Sequence, residues 1–299
     1  MRIVVTGAMG FIGSHFVRHV FNFDEDIKIL IVDNLTYAAN RDNLKGVSYE
    51  FLHKDICNIK PSDLGEYDYL INFAAESHVD NSIDDGRPFV RTNVEGTFNL
   101  LEIARQNPNL KKFIQISTDE VYGDMLDYGI EVEATVDFNL FGSSYYSATK
   151  ASADLLVQAA GRTYGLPYLI TRTCNNYGKN QHQEKLLPTI INCIKNDIPI
   201  PVYGDGLNIR EWIHADDNSK AIFDFMTSDT TGVKNIGSGE RYTNLQIIGI
   251  IESILNKPVK YNFVKDRKGH DKIYALISDY KGELNYTLKK YLKECLEPQ

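Results

Sequence analysis

Tyr146 and Lys150 stand four residues apart in the run Tyr146-Ser147-Ala148-Thr149-Lys150, so a helix would put phenol and ammonium on one face. An ammonium beside a phenol favours the phenolate, and Lys150 is expected to lower Tyr146 below the usual tyrosine value of about 10. A phenol tuned in this way can take the proton of an alcohol while hydride leaves the carbon. Upstream, Thr118-Asp119-Glu120 offers a hydroxyl to the same alcohol and adds two adjacent carboxyl groups. Adjacent carboxyls in a partly desolvated pocket split their affinities for protons, which makes one an acid and the other a base. An acid can protonate a leaving hydroxyl, and a base can remove a proton next to a ketone. Together the five side chains could oxidise an alcohol and then eliminate water.

Hydride needs an acceptor. The segment Thr6-Gly7-Ala8-Met9-Gly10-Phe11-Ile12-Gly13 follows an apolar run and opens a helical one. Gly7 would permit a tight turn, Gly10 a close backbone approach to a pyrophosphate, and Gly13 close helix–strand contact, with free helix N–H groups facing the phosphates. Asp33 ends the next apolar run, where a carboxylate can take the adenosine ribose hydroxyls. A carboxylate there would repel a 2′-phosphate, so the expected cofactor is NAD.

The elements that must position these groups alternate in period. Runs 3–6, 27–33, 49–53, 69–74, 113–117 and 168–171 read as strands, and 12–21, 93–105 and 146–164 as helices. That alternation predicts an α/β fold, a doubly wound parallel sheet of the Rossmann type covered on both faces. After Thr173 the alternation degrades. Segments 199–206 and 265–271 read as ordered loops, and helices are expected at 187–196, 245–255 and 288–296. The expected division is residues 1–172 as the NAD-binding domain and 173–299 mainly as a smaller substrate-binding lobe, with some segments returning to the first.

The net charge of −8 argues against nucleic acid and anionic membrane as partners. Cys57, Cys174, Cys193 and Cys295 form no CxxC pair and have no zinc spacing with histidine, so no metal is expected. The first residues lack a basic and then apolar leader, and no apolar run approaches the roughly 20 residues of a membrane span. A cytoplasmic location is expected.

The spacing of the glycines, with Tyr146 and Lys150, resembles the extended short-chain dehydrogenase/reductase family. Thr118-Asp119-Glu120 narrows the resemblance to the nucleoside-diphosphate-sugar 4,6-dehydratases, and within them to those acting on dTDP-glucose. Ala75-Glu76-Ser77-His78-Val79-Asp80, Asn175-Asn176-Tyr177-Gly178, Glu184-Lys185-Leu186-Leu187-Pro188, Pro201-Val202-Tyr203-Gly204-Asp205-Gly206, Arg210-Glu211-Trp212 and Asp266-Arg267-Lys268-Gly269-His270-Asp271 resemble further runs of that group. The likeness covers roughly residues 1–285. It implies Tyr146, Thr118 and Lys150 at the C4 hydroxyl, Glu120 as the base at C5 and Asp119 as the acid at the C6 hydroxyl. It implies Asp55 and Ile56 at the adenine and Ala74 and Ala75 along the cofactor. It places Ser77 and Asn175 near the sugar, Lys185, Arg210, Asn235 and His270 around the diphosphate and nucleoside, and Tyr203 against the base. A homodimer joined through helices 93–105 and 146–164 is a further implication.

Three departures stand out. Asn81 replaces an arginine, Tyr145 replaces the proline before the catalytic tyrosine, and the connection after Gly282-Glu283-Leu284 to the last helix is short. None removes a catalytic group. The residues leave thymidine and uridine both open as the base. A sugar-nucleotide 4-epimerase shares the glycines and the Tyr–Lys pair but has no need of Asp119 and Glu120. A UDP-glucuronate decarboxylase needs a cation for the substrate carboxylate. A non-catalytic NAD-binding regulatory module would not need the five catalytic groups.

Overall fold

The computed structural model describes residues 1–129 and 132–297. Its strands, in chain order, are β1 (Arg2–Thr6), β2 (Lys28–Asp33), β3 (Glu50–His53), β4 (Tyr69–Asn72), β5 (Lys112–Thr118), β6 (Tyr168–Thr173), β7 (Asn175–Tyr177), β8 (Ile200–Tyr203), β9 (Ile209–His214), β10 (Gly232–Ile236), β11 (Arg241–Thr243) and β12 (Tyr261–Val264). Seven of them pair in parallel in the order β10-β6-β5-β4-β1-β2-β3. Parallel strands are covered on both faces, which is why these segments are near-continuous apolar runs. Along β1, Ile3 and Val5 enter one core with Phe16, Val17, Phe223 and Met226. Val4 enters the opposite core with Leu100, Ile103 and Val157. Helices Phe11–Phe23 and Ala215–Thr227 thus cover one face, and Thr97–Ala104 and Tyr145–Tyr164 the other.

Strand order runs outward from β1 through β2 to β3, then restarts at β4 and runs the other way. The crevice between β1 and β4, outside the carboxyl ends of the strands, is where such a sheet binds ligands. Thr6 pairs with Asn72, and Thr118 with Thr173, so the strands end level with one another at that edge. A buried polar network fastens the ends. Thr6 Oγ1 donates to Asn72 Oδ1 at 2.6 Å, and Asn72 Nδ2 donates to Gln115 Oε1 at 2.9 Å.

A further apolar cluster unites Tyr177, Leu187, Trp212, Ile247, Ile251, Leu288 and Leu292. It is built from the sheet β11-β9-β7, the pair β12-β8 and helices Leu186–Lys195, Asn244–Leu255 and Leu288–Leu296. The short C-terminal connection is tied down. Asn285 N and Tyr286 N donate to the two oxygens of Asp217 at 2.9 and 3.0 Å, and the Tyr286 ring stacks on His214 at 3.8 Å.

Several elements differ from expectation, and β7, β9, β11 and β12 have no counterpart in it. The 199–206 segment contains a strand, β8, where a loop was expected. Its proline is tolerated because β8 belongs to a two-stranded ladder away from the main sheet. Helix Ala215–Thr227 opens with Asp216, Asp217 and Asn218, which hide its apolar stripe of Ala221, Ile222, Phe223 and Met226 from a periodicity reading. It leads into β10, which pairs with β6 as the seventh strand. The helix expected at 93–105 begins earlier, at Arg87–Phe89, passes through a wider π turn at Val90–Gly96 and continues as Thr97–Ala104. Pro88 sits in its first turn, where the ring costs no hydrogen bond.

Candidate active site

One cavity of about 920 Å³ lies along the carboxyl ends of the strands. Its lining runs from Gly7 and Asp33 to Arg210 and His270. Its floor is the glycine turn. Gly7 has φ +67°, and a Cβ there would come within 2.5 Å of Ala74 N. A Cβ on Gly13 would come within 2.7 Å of the Gly7 carbonyl. Both positions therefore demand glycine for the backbone to pass so close. The helix begins after Gly10 with no side-chain cap, so its first N–H groups face the cavity wall formed by Gly10, Phe11 and Ile12.

Asp33 closes this turn from β2. Its Oδ2 accepts from Met9 N at 2.9 Å and its Oδ1 from Leu35 N at 2.8 Å. Each oxygen keeps a lone pair for a ribose hydroxyl. Asp55, Ile56, Ala74 and Ala75 line the same trough. The Asp55 carboxylate is occupied by Cys57 N and Arg91, so what it offers a ligand is mainly its backbone and its shape. The loop that carries Ala75, Glu76 and Ser77 is pinned by Asn93, which accepts from Glu76 N at 2.9 Å and donates to Glu76 O at 3.1 Å. A cradle that a Cβ would fill, an uncapped helix end and a ribose-facing carboxylate fit NAD.

The catalytic candidates meet across the same cavity. Helix Tyr145–Tyr164 is started by reciprocal capping. Ser147 N donates to Ser144 Oγ at 3.1 Å and Ser144 N to Ser147 Oγ at 3.0 Å. That cap fixes Tyr146 in the first turn and Lys150 in the second. Tyr145, where the family resemblance expects proline, lays its ring against Gly86 and leaves the helix start intact. Lys150 Nζ donates to the Ile116 carbonyl at 2.5 Å, tying the helix to β5. Thr118 ends β5, accepts from Glu120 N at 3.3 Å and caps the short turn Asp119–Tyr122.

Electrostatics separate the two carboxyls. Burial pushes Asp119 well above the usual carboxylate range, and the charges of Glu120 and Glu211 add to it. Its Oδ2 is buried with no hydrogen-bond partner among the described residues. Burial also raises Glu120, but Arg210, Lys185 and Arg267 pull it back down. Asp119 thus holds its proton longer, and Glu120 ionises first.

The phenol contradicts expectation. Burial raises Tyr146 above its ordinary value, and Glu120 raises it further, opposed by a hydrogen bond with Thr118. Burial also pushes the Lys150 ammonium down to about 8.

Ser77, Asn175, Lys185, Tyr203, Arg210 and His270 line the far end of the cavity. The Arg210 guanidinium is held by backbone, donating to Ile209 O at 2.8 Å and Asp271 O at 2.7 Å, and stacks 4.3 Å above the Tyr274 ring. Asn235 does not join them. It is fully buried in β10, accepts from Tyr122 OH at 2.6 Å and donates to Ala134 O at 3.0 Å. Its amide is consumed inside the fold, so it is not a substrate contact. Arg267, which the sequence reading did not single out, lines the cavity and acts on Glu120. Its place in the Asp266–Asp271 run, beside His270, was the available signal. Glu76, within the Ala75–Asp80 run, and Tyr37, with nothing in its spacing to mark it, also line the cavity.

Among the described residues no helix is long and apolar enough to cross a membrane. A model of the NAD dependent epimerase/dehydratase family matches residues 3–237. The low-salt glycan biosynthesis protein Agl12 of Haloferax volcanii is 45% identical, with 92% of this chain and 90% of that protein covered. The dTDP-glucose 4,6-dehydratase of Streptomyces griseus is 42% identical over 92% of this chain and 85% of its own length. The crystal structure of DesIV, a dTDP-glucose 4,6-dehydratase from Streptomyces venezuelae with NAD bound, superposes with a TM-score of 0.91 at 37% identity, covering 99% of this chain and 96% of that one. With its seven-stranded parallel sheet, glycine cradle and Tyr–Lys helix, the chain belongs to the NAD dependent epimerase/dehydratase family.

Proposed function

We propose that the protein is an NAD-dependent 4,6-dehydratase of a nucleoside-diphosphate hexose, with dTDP-glucose as the first candidate substrate. The observation that carries this reading is the pair of buried carboxyls at the mouth of β5 in unequal surroundings, Asp119 raised by burial and its acidic neighbours, Glu120 raised by burial but facing Arg210, Lys185 and Arg267. A 4-epimerase has no use for such a pair. The relatives described as dTDP-glucose 4,6-dehydratases support the same reading.

Gly7, Gly10, Phe11, Ile12, Gly13, Asp33, Asp55, Ile56, Ala74 and Ala75 would hold NAD, with Tyr146 and Lys150 at its reactive end. When bound, NAD supplies a hydride acceptor that is also the later donor, so it is a retained catalyst. Tyr146 takes the C4 hydroxyl proton, with Thr118 orienting that hydroxyl and Lys150 supplying positive charge. The C4 ketone acidifies the C5 proton, and Glu120 removes it. Asp119 gives its proton to the departing C6 hydroxyl, which leaves as water; the hydride taken from C4 would then return to C6 while Glu120 gives a proton back to C5, completing the 4-keto-6-deoxy sugar. Lys185, Arg210 and Arg267 form a cationic end for the diphosphate inside an acidic protein, with His270, lowered by burial and by Arg267, as an imidazole hydrogen-bonding group beside them. Tyr203, 40% exposed at the cavity rim, is the surface offered to the base.

Residues 1–172 serve as the cofactor unit, joined by helix Ala215–Thr227 and β10, and the remainder as the sugar-nucleotide unit. Exposed Phe98 and Leu155 on the two helices of one face fit a homodimer made through those helices. A cytoplasmic location suits a biosynthetic enzyme of this kind. The test is incubation of purified protein with dTDP-glucose and with UDP-glucose, followed by alkali. A 4-keto-6-deoxy product develops a new near-ultraviolet absorbance in base. No signal with either nucleotide would sink the dehydratase reading.

A further inference from the structure

Lys150 is 4% exposed, and an ammonium that deep loses its proton unless an anion stands near it. The helix supplies one. Asp154 lies one turn beyond Lys150 on the same face and is fully buried. Its Oδ2 accepts from Arg172 Nε at 2.8 Å, and neither side chain is more than 2% exposed. Its Oδ1 is buried without a hydrogen-bond partner among the described residues.

Arg172 is itself built in. It stands on β6 opposite Ser117, the residue after Ile116, whose carbonyl receives Lys150. The Tyr122 ring lies 4.9 Å from its guanidinium, and the Tyr122 hydroxyl accepts from Nη1 at 3.0 Å. Tyr122 OH in turn donates to Asn235. The network thus runs from β10 through Arg172 and Asp154 to the helix that carries the Tyr–Lys pair.

Among the described residues, the charged groups acting on Asp154 are Arg172 on β6 and Lys150 on its own helix, and Asp154 in turn raises Tyr146 and Tyr122. Burial carries Lys150 down to about 8, and Asp154 is the group that pulls it back up. Arg172 and Lys150 in return keep Asp154 from being raised further by burial. Burying a carboxylate costs free energy that packing alone does not return, and here its two cationic neighbours offset it.

We propose that Asp154, anchored by Arg172, is a positioning residue that keeps Lys150 charged for its work beside Tyr146. Its kinetic consequence rests on the dehydratase reading, whereas its effect on the Lys150 amine does not.

The test is an NMR titration of the full chain carrying [13Cε]lysine, the Lys150 signal being assigned by its loss in Lys150→Arg. The parent midpoint is expected at about 8. In Asp154→Asn it falls by about one unit or more, and kcat on the alkaline side drops roughly tenfold relative to the parent while changing little near pH 6. Asp154→Asn leaves Arg172 buried and unpaired, so Asp154→Asn with Arg172→Gln removes both charges and is expected to show the same fall. A Lys150 midpoint that stays at the parent value in the folded variants overturns the proposal. The midpoint is read without substrate, so a chain inactive on every hexose nucleotide would still decide it.

Discussion

Asp119 and Glu120 are adjacent in the chain and share the influence of Arg210, yet Glu211 raises Asp119 while Lys185 and Arg267 lower Glu120. The turn Asp119–Tyr122 makes this possible by sending consecutive side chains to different surroundings. Glu120→Gln is expected to slow exchange of the C5 proton with solvent by about 10²–10⁴-fold, the usual yield of a positioned base. The first hydride transfer, read as a transient NADH absorbance, should change far less. Equal slowing of both steps would move the base role elsewhere.

The same asymmetry has a consequence for stability. Asp119 is raised in the folded protein, so its support of the fold is fully present below its ordinary value of 3.8 and is lost as pH rises through the folded value. Asp119→Asn removes that dependence and keeps the shape. At pH 8 the variant is expected to melt higher than the parent, with the gain shrinking as pH is lowered toward 5. Thermal melts at the two pH values check the sign.

Arg210 holds Glu120 down. Arg210→Met is therefore expected to raise Glu120 and move the acid limb of kcat/KM toward neutral pH, besides weakening sugar-nucleotide binding. A pH profile separates the two effects. The limb reports the base, and KM reports the diphosphate.

Asn235 is the clearest case of a site residue that the sequence misplaced. The family resemblance implies it as a substrate contact, and nothing local reveals that β10 carries it into the main sheet. Asn235→Ala removes its bonds to Tyr122 and Ala134, and is expected to cost about 1–3 kcal/mol of stability. KM for the sugar nucleotide should be unchanged. A raised KM in a fully folded variant would restore the substrate role.

Gly7→Ala tests the cofactor cradle. The left-handed backbone costs about 1–2 kcal/mol for any other residue, and the collision with Ala74 N adds to it. The variant is expected to purify with little bound NAD, read from the nucleotide released on denaturation.

Periodicity exposed the elements whose burial is simple. The runs at β1, β2 and β5 are apolar because both faces are covered, and helix Tyr145–Tyr164 is framed by Ser144 and by Gly165 in the left-handed region. Segments that carry the second half of the site were harder to read. β8 contains a proline, β10 is short and half polar, and helix Ala215–Thr227 starts on buried polar residues that serve tertiary bonds. Chemistry followed the same rule. Spacing placed Tyr146, Lys150 and Asp119 together, but the state of the phenol depends on burial and on Glu120, which no spacing reveals.

The most direct test of the central claim is product NMR after incubation with dTDP-glucose in D2O. The expected product is a 4-keto-6-deoxy sugar nucleotide carrying solvent deuterium at C5, with no net NADH formed. A C4 epimer that keeps all its carbon-bound hydrogens would contradict it and return Asp119 and Glu120 to another purpose.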